Sequence, residues 1–280
     1  MLLWQRHAKP SLPMPKFADS RTNGPRTMQD GYVNLNSTGG VATVTFHHPK
    51  SNSLPGHVLR SMATAIIEAG QDNATRVIVL RSDGDKAFCA GASFDELLSI
   101  DNLDKGTAFF SGFAGVINAI RTSPCFVIGR IHGKAVGGGV GLVAACDASY
   151  AHSSSAARLS ELAIGIGPFV VGPAVERKVG TSAFGLMTFT PATWRDAEWC
   201  REIGLYSSVH ANIEHLDSTV NAHAAELAGY SPEAMAELKR ILWKGTEHWD
   251  VLLAERAAMS GRLVLSEFTV NAINKFKSGK

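Results

Sequence analysis

Three consecutive glycines at positions 137–139 lie inside an apolar segment that reads HGKAVGGGVGLVAAC from residue 132 to residue 146. A fourth glycine, Gly141, follows after one valine. Each glycine costs about 0.5 to 1 kcal/mol relative to alanine in a regular element. Two explanations are open: close packing of a helix on a sheet, or an uncovered backbone whose N–H groups at a helix start bind a phosphate or a developing oxyanion.

Strand and helix patterns alternate around this segment. The strand patterns cover residues 32–36, 41–46, 77–80, 126–131, 148–151, 158–159 and 207–210. The helix patterns cover a segment from Pro55 to Gly70, a short helix capped by Ser93, and residues 107–121. From Asn212 onward only helical patterns appear. One of these helices starts at Ser231 and Pro232 and directs Leu238, Ile241 and Leu242 inward. The order predicts an α/β domain followed by a helical region.

Three motifs that use glycine or serine at a strand end do not fit. A dinucleotide-binding G-x-G-x-x-G sequence that includes Gly137 and Gly139 needs a third glycine at position 142, which is a leucine. The segment GRIHGKA has the wrong spacing for a phosphate-binding P-loop. The serine nucleophile elbow around Ser93 needs glycine where Asp95 stands. These mismatches argue against a nucleotide-binding protein and against a serine hydrolase.

A second loop has the same character as the glycine run. The segment KAFCAGASFDEL, residues 86–97, leaves a strand, passes through small residues and opens a helix. Its N–H groups can face the same point as those of the triplet. Two such backbones together form an oxyanion hole.

Charge and cysteine content exclude several classes of protein. Lysine and arginine total 27 against 25 acidic residues, which favours neither a nucleic-acid partner nor a polybasic membrane surface. No apolar run is long enough to cross a bilayer. The four cysteines have no metal-ligand spacing and predict free thiols, hence a cytoplasmic protein without a metal site. Residues 1–29 contain four prolines and one acid, and we predict a disordered leader there, with Met28 favoured as the working start over a transit peptide.

The quoted segments, with LSELAIGIGP at 159–168 and HPKSNSL at 48–54, resemble the enoyl-CoA hydratase/isomerase superfamily in order and spacing. The resemblance implies the crotonase fold, a spiral of strand-strand-helix units over residues 30–210, with a helical C-terminal region, 211–280, that forms homotrimers or hexamers. It implies an acyl-CoA thioester as substrate and no separate cofactor. By matching position, the oxyanion donors are the N–H groups of Ala92 and Gly138.

The resemblance also bears on the catalytic acid. Hydratases of this kind usually carry two glutamates, and Gly141 stands where the first is expected. The second is present as Glu161, preceded by Ser160 instead of the commoner proline. One carboxylate can take a proton from one carbon and return it to another, whereas two can orient a water. The pattern therefore favours an enoyl-CoA isomerase, with a hydratase using Glu161, or a non-catalytic acyl-CoA-binding scaffold, as alternatives.

Further residues are expected to contact the substrate or to support the fold. The predicted substrate-binding residues are Lys86, Ala90, Gly91, Lys134, Gly137, Gly141 and Phe169. Side chains that could line an acyl pocket are Phe94, Leu97, Phe109, Phe113 and Val170. We expect Asp95 and Glu96 on a solvated helix face and Asp147 in a structural turn. Hydrogen-bonded scaffold positions are expected for His47, His48 and His132.

Overall fold

The computed structural model describes residues 30–277, so the predicted leader lies outside the described residues. The strands are β1 (Tyr32–Thr38), β2 (Val41–His47), β3 (Ser53–Leu54), β4 (Val77–Ser82), β5 (Ala87–Cys89), β6 (Gly91–Ala92), β7 (Phe126–Ile131), β8 (Lys134–Val136), β9 (Ala148–His152), β10 (Ala156–Arg158), β11 (Arg195–Asp196) and β12 (Ser208–His210). The helices are α1 (Gly56–Gln71), α2 (Phe94–Ser99), α3 (Leu103–Thr122), α4 (Gly138–Ala145), α5 (Gly172–Phe189), α6 (Ala197–Glu202), α7 (Ile213–Ala228), α8 (Pro232–Leu242), α9 (Trp249–Leu263) and α10 (Glu267–Lys277). A short 3₁₀ helix covers Glu161–Ile164. Strands alternate with helices up to β12 and only helices follow, as the sequence predicts.

Two sheets and one strand pair form the α/β part. The larger sheet has the order β1-β2-β4-β7-β9-β12, and all its pairs except β1-β2 are parallel. The smaller sheet has the order β11-β10-β8-β5, with β5, β8 and β10 parallel. The two-residue strands β3 and β6 pair in parallel. This arrangement brings the ends of β6, β8 and β10 to one region of the molecule.

The helices begin where polar side chains can cap them. The side chains of Ser93 and Ser231 accept hydrogen bonds from the third residue of α2 and α8, as predicted. Helix α3 begins at Leu103, four residues before the predicted start, because the side chain of Asn102 caps it by accepting from the N–H of Lys105 at 2.9 Å. Pro55 precedes α1 instead of being its first residue.

Five short strands between residues 30 and 277 were not predicted. Strands β3, β5, β6, β8 and β11 have only two or three residues each, so they show no alternating pattern in the sequence. Strand β8 lies between β7 and the glycine run, which means that α4 follows the smaller sheet and not the larger one.

The sequence prediction of which face of α8 points toward the core is wrong. Leu238, Ile241 and Leu242 are about half exposed, whereas Met235 and Lys239 are buried. The Lys239 ammonium lies 3.0 Å from a carboxylate oxygen of Asp147 and donates to the carbonyl of Cys125 at 2.6 Å. These partners fix a lysine on the face that packs against the core.

His132 also differs from the expectation. It is buried, yet neither ring nitrogen has a hydrogen-bond partner among the described residues, so the prediction of a hydrogen-bonded histidine is wrong here. Burial, aided by the neighbouring Arg130, lowers the pKa of His132 to about 4, which keeps the ring neutral. His48 does have a partner, because its Nδ1 accepts from the N–H of Lys50 at 3.4 Å.

The thiols agree with the sequence prediction. All four cysteines are free and buried.

Between residues 30 and 277, we find no helix that is both long and apolar enough to span a membrane. Within the same residues, no cluster of three or more histidine, cysteine or acidic side chains could hold a metal ion.

Candidate active site

A cavity of about 430 Å³ lies where β6, β8 and β10 end. Its floor and walls are mostly apolar, and include Phe94, Leu97, Phe110, Phe113, Phe169 and Val170. Its ionisable side chains, among the described residues, are those of Arg158 and Glu161. A mostly apolar cleft or cavity with few polar groups is the usual form of a small-molecule site.

The two glycine-containing loops meet at this cavity. Gly91 has a φ of +88°, and a Cβ placed on it would stand 2.9 Å from the carbonyl oxygen of Val136 and 3.8 Å from the nitrogen of Gly138. Only glycine permits both this backbone conformation and this approach. Ala92 and Gly138, the predicted oxyanion donors, both line the cavity.

Main-chain hydrogen bonds hold each loop in place. The N–H of Ala90 donates to Asn52 at 3.1 Å, and the N–H of Ser93 donates to Leu54 at 3.0 Å. The N–H of Gly137 donates to the carbonyl of Arg158 at 2.8 Å. Gly138 is the first residue of α4, where the N–H has no partner within the helix.

Packing also requires glycine in this run. A Cβ on Gly138 would stand 2.2 Å from the Phe113 ring, and one on Gly139 would stand 2.5 Å from the carbonyl oxygen of Cys89. Close packing of α4 on its neighbours therefore explains these glycines, and the first turn of α4 also borders the cavity.

Glu161 supplies the carboxylate of the cavity. The residue as a whole is partly exposed, but its Oε2 is buried and has no hydrogen-bond partner among the described residues. Burial raises the pKa of Glu161 to about 7, although the main-chain N–H groups of Glu161 and Ser160 act in the opposite direction. A carboxylate with this pKa can both take up and release a proton near neutral pH.

The structure brings most of the predicted site residues together. Those that line the cavity are Ala90, Gly91, Ala92, Gly137, Gly138, Glu161 and Phe169. Lys86 and Lys134 are exposed and lie outside the cavity lining. Gly141 lies behind Val171, since a Cβ on residue 141 would stand 2.4 Å from Val171 Cγ1. In the apolar wall, Phe110 lines the cavity and the predicted Phe109 does not.

Sequence reasoning missed Arg158 and its partner Trp194. Arg158 lines the cavity, and its guanidinium carbon lies 4.4 Å from the centre of the Trp194 ring. The Nζ of Lys134 lies 4.8 Å from the centre of the same ring. The only sequence signal for Arg158 is that a charged residue ends the short strand before Glu161. The contact between Arg158 and Trp194 has no signal in the sequence.

The other three acids make contacts outside the cavity: Asp147 has the structural role expected of it, and Glu96 is part-buried instead of lying on a solvated helix face. Glu96 accepts a hydrogen bond from the N–H of Gly56 at 2.7 Å, and Asp95 pairs with Lys50. Asp147 accepts from the N–H of Val127 at 2.7 Å and from Trp243 Nε1 at 2.9 Å. None of the three acids belongs to the cavity lining among the described residues.

Comparison with solved structures identifies the fold. The chain superposes on an enoyl-CoA hydratase from Bacillus halodurans with a TM-score of 0.80 and 20% identity, over 87% of this chain and 99% of that one. The fold is therefore the crotonase fold, as the sequence resemblance implied.

Sequence comparison identifies the family. A family model described as enoyl-CoA hydratase/isomerase matches residues 36–272. A probable enoyl-CoA hydratase from Bacillus subtilis is 29% identical over 206 residues, 72% of this chain and 78% of that protein. The probable enoyl-CoA hydratase echA12 of Mycobacterium bovis is 30% identical over 243 residues, 82% of this chain and 83% of that protein. The chain belongs to the enoyl-CoA hydratase/isomerase family.

Proposed function

We propose that this enzyme shifts the double bond of an enoyl-CoA from the 3,4 to the 2,3 position through an enolate. The observation that carries the proposal is the single carboxylate of the described cavity lining, that of Glu161, whose Oε2 is buried, beside two converging glycine backbones. Burial leaves this carboxylate with a pKa of about 7.

In the proposed reaction, the thioester oxygen accepts hydrogen bonds from the N–H groups of Ala92 and Gly138. The carboxylate of Glu161 removes a proton from C2, and the electron pair moves into the thioester oxygen to give the enolate. The protonated Glu161 then returns a proton to C4, and the double bond forms between C2 and C3. Removal of one oxyanion-hole donor costs about 2.7 to 4 kcal/mol of transition-state stabilisation in other enzymes.

The surroundings of Gly141 support isomerisation over hydration. In the two-glutamate hydratases that the sequence resembles, a glutamate occupies this position, and the pair orients the attacking water. Here, Val171 fills the space that a side chain on residue 141 would need. A single proton-transferring group is sufficient for a double-bond shift.

Hydration is the second candidate, and the names of the relatives favour it. The proteins from Bacillus subtilis and Mycobacterium bovis are both named as probable enoyl-CoA hydratases. In that reaction, Glu161 would deliver a proton to C2 and take one from the water that adds to C3.

The products of two substrates in heavy water separate these candidates. We would mix the protein with a 2-enoyl-CoA and with a 3-enoyl-CoA and determine the product masses and double-bond positions. A shifted bond without added water supports the isomerase, and addition of one water supports the hydratase. Thioester binding with no turnover would contradict both and indicate an acyl-CoA-binding scaffold.

A matched pair of variants tests the role of the carboxylate. Glu161→Gln removes the proton-transferring group, and we expect turnover to fall by a factor of about 10² to 10⁴. Glu198→Gln changes an exposed glutamate paired with Arg201, outside the cavity lining, and should leave turnover unchanged. Equal turnover in all three proteins would contradict the assignment of Glu161.

We also infer that the chain assembles as a homotrimer or a hexamer through its helical C-terminal region. The exposed apolar side chains of Leu238, Ile241 and Leu242 on α8 support an interface there. Sedimentation of the wild type and of Ile241→Glu tests this: we expect a trimer or larger, and a smaller species in the variant. A wild-type monomer would contradict it. The cytoplasmic location stays a prediction.

A further inference from the structure

We propose that Arg158 binds a second carboxylate on the acyl group, so that the substrate is the CoA thioester of a dicarboxylic acid. The inference deepens the proposed function and rests on it, because it concerns the acyl-CoA cavity around Glu161. The observations behind it are the position of Arg158 in the cavity wall, the contact of its guanidinium group with Trp194 and the absence of an anionic partner among the described residues.

The strand register directs Arg158 to the cavity side of the smaller sheet. Arg158 pairs with Val136 of the neighbouring parallel strand β8, and both residues line the cavity. Ala135 and Ala157 directly precede Val136 and Arg158 in their strands. Both alanines are fully buried on the opposite face of the sheet, because side chains alternate between the two faces along a strand. Lys134 lies on the same face as Arg158.

The guanidinium group of Arg158 has no anionic partner between residues 30 and 277. Its Nε is buried and makes no hydrogen bond there, and no carboxylate forms an ion pair with it. Burial lowers the pKa of Arg158, and no acidic neighbour among the described residues acts against this effect. A cation that borders an apolar cavity without a counter-charge is costly, and an anionic group of a ligand would remove that cost.

Trp194 holds the guanidinium group in a defined orientation. The ring stacks against Arg158 at 4.4 Å and also contacts Lys134 at 4.8 Å. Nε is buried, but the two terminal nitrogens of the guanidinium group are not, and they can donate two hydrogen bonds to one carboxylate. Lys134 adds positive potential on the same side.

The position of Arg158 along the cavity favours an acyl carboxylate over a CoA phosphate. Its carbonyl accepts the N–H of Gly137, the glycine against which the Glu161 carboxylate lies. The main chain of Arg158 therefore lies next to the reacting end of the proposed substrate, and the residue lines the same cavity. The long pantetheine arm of CoA separates the thioester from the phosphates.

Calorimetric binding of two unreactive thioesters tests the inference. Glutaryl-CoA and pentanoyl-CoA have acyl chains of equal length, and only the first carries a terminal carboxylate. We expect the wild type to bind glutaryl-CoA at least about tenfold more tightly. Arg158→Gln should lose this preference while binding pentanoyl-CoA as before, and Arg158→Lys should retain part of it. Arg201→Gln, which removes an exposed arginine outside the cavity lining, is the charge-matched control.

Two outcomes would overturn the inference. Equal wild-type affinity for the two thioesters would show that the cavity does not recognise a terminal carboxylate. A loss of affinity in Arg158→Gln that is the same for glutaryl-CoA, pentanoyl-CoA and free CoA would assign the arginine to a CoA phosphate. Because the ligands are saturated, the result does not depend on isomerisation or hydration. Failure of the proposed function would appear separately, as absent turnover of enoyl-CoA.

Discussion

The carboxylate of Glu161 lies directly against the backbone of Gly137: a Cβ on residue 137 would stand 3.0 Å from Oε1 and 3.6 Å from Oε2. The glycine at the start of α4 thus leaves the space that the carboxylate occupies. The same residue has a φ of +52°, which side-chain-bearing residues rarely adopt. The glycine run and the acid, 24 positions apart in sequence, therefore form one unit.

Gly137→Ala tests this relationship. The new methyl group strains the backbone and displaces the carboxylate, so we expect the protein to lose about 1 to 3 kcal/mol of stability and kcat to fall by about tenfold to a hundredfold. Thermal unfolding and turnover measure the two effects. Gly39→Ala is the matched control, because Gly39 has a φ of +60° and a Cβ there meets no atom of residues 30–277 within 4 Å. If both variants keep full turnover when folded, Gly137 does not position Glu161.

Glu161→Gln should stabilise the protein at alkaline pH. The pKa of Glu161 is about 7 in the folded state and 4.5 in an unperturbed carboxyl group, so the folded protein binds more protons than the unfolded chain between these values. Stability therefore falls as pH rises through this window. Removing the carboxylate should gain on the order of 2 to 3 kcal/mol at pH 8 and nothing at pH 4. Urea unfolding of both proteins at the two pH values checks this; a difference that is independent of pH would contradict the raised pKa.

Gly141→Ala should destabilise the protein by about 1 to 3 kcal/mol, because its methyl group overlaps the side chain of Val171. In a Val171→Gly background, where the nearest atom of residue 171 is its Cα at 3.4 Å, the same change should be neutral or stabilising, since alanine is the better helix former. Denaturant midpoints of the four proteins give the coupling energy. Gly115→Ala is the control, with its Cβ at an ordinary 3.9 Å from Ala63, and should stabilise. Additive effects at 141 and 171 would disprove the steric explanation.

Asp147→Asn should cost about 3 to 5 kcal/mol of folding stability, because it leaves the buried ammonium of Lys239 without its counter-charge. Chemical denaturation measures the loss. Glu237→Gln breaks an ion pair with Arg240 in which both side chains are more than half exposed, and should cost less than about 1 kcal/mol. Similar losses of folding stability in the two variants would show that the Lys239–Asp147 ion pair contributes no more than an exposed ion pair does.

Sequence predicts the elements whose signals are local. The caps at Ser93 and Ser231 are visible because a serine precedes a helical apolar pattern, and both are confirmed. Strands of five or more residues show their burial pattern in sequence, whereas β5, β6 and β8 are held by pairing with distant segments. Lys239 appears in sequence as a surface residue, since only the fold brings Asp147 to it.

The same distinction applies to the cavity. Glu161 and the two glycine loops belong to recognisable segments, so their presence in one cavity could be predicted. Arg158 and Trp194 could not be connected, because they are 36 positions apart and the contact depends on how β10 and the segment before β11 meet. The exposed positions of Lys86 and Lys134 depend equally on tertiary structure.

Proton loss from C2 of a 3-enoyl-CoA in heavy water, followed by NMR, measures the central claim most directly. We predict that the wild-type rate rises with pH to a plateau with a midpoint near 7, because only the ionised Glu161 removes the proton. Glu161→Gln should be at least about a hundredfold slower at every pH, and Glu198→Gln should behave as the wild type. Exchange at the wild-type rate in Glu161→Gln would show that another group takes the proton.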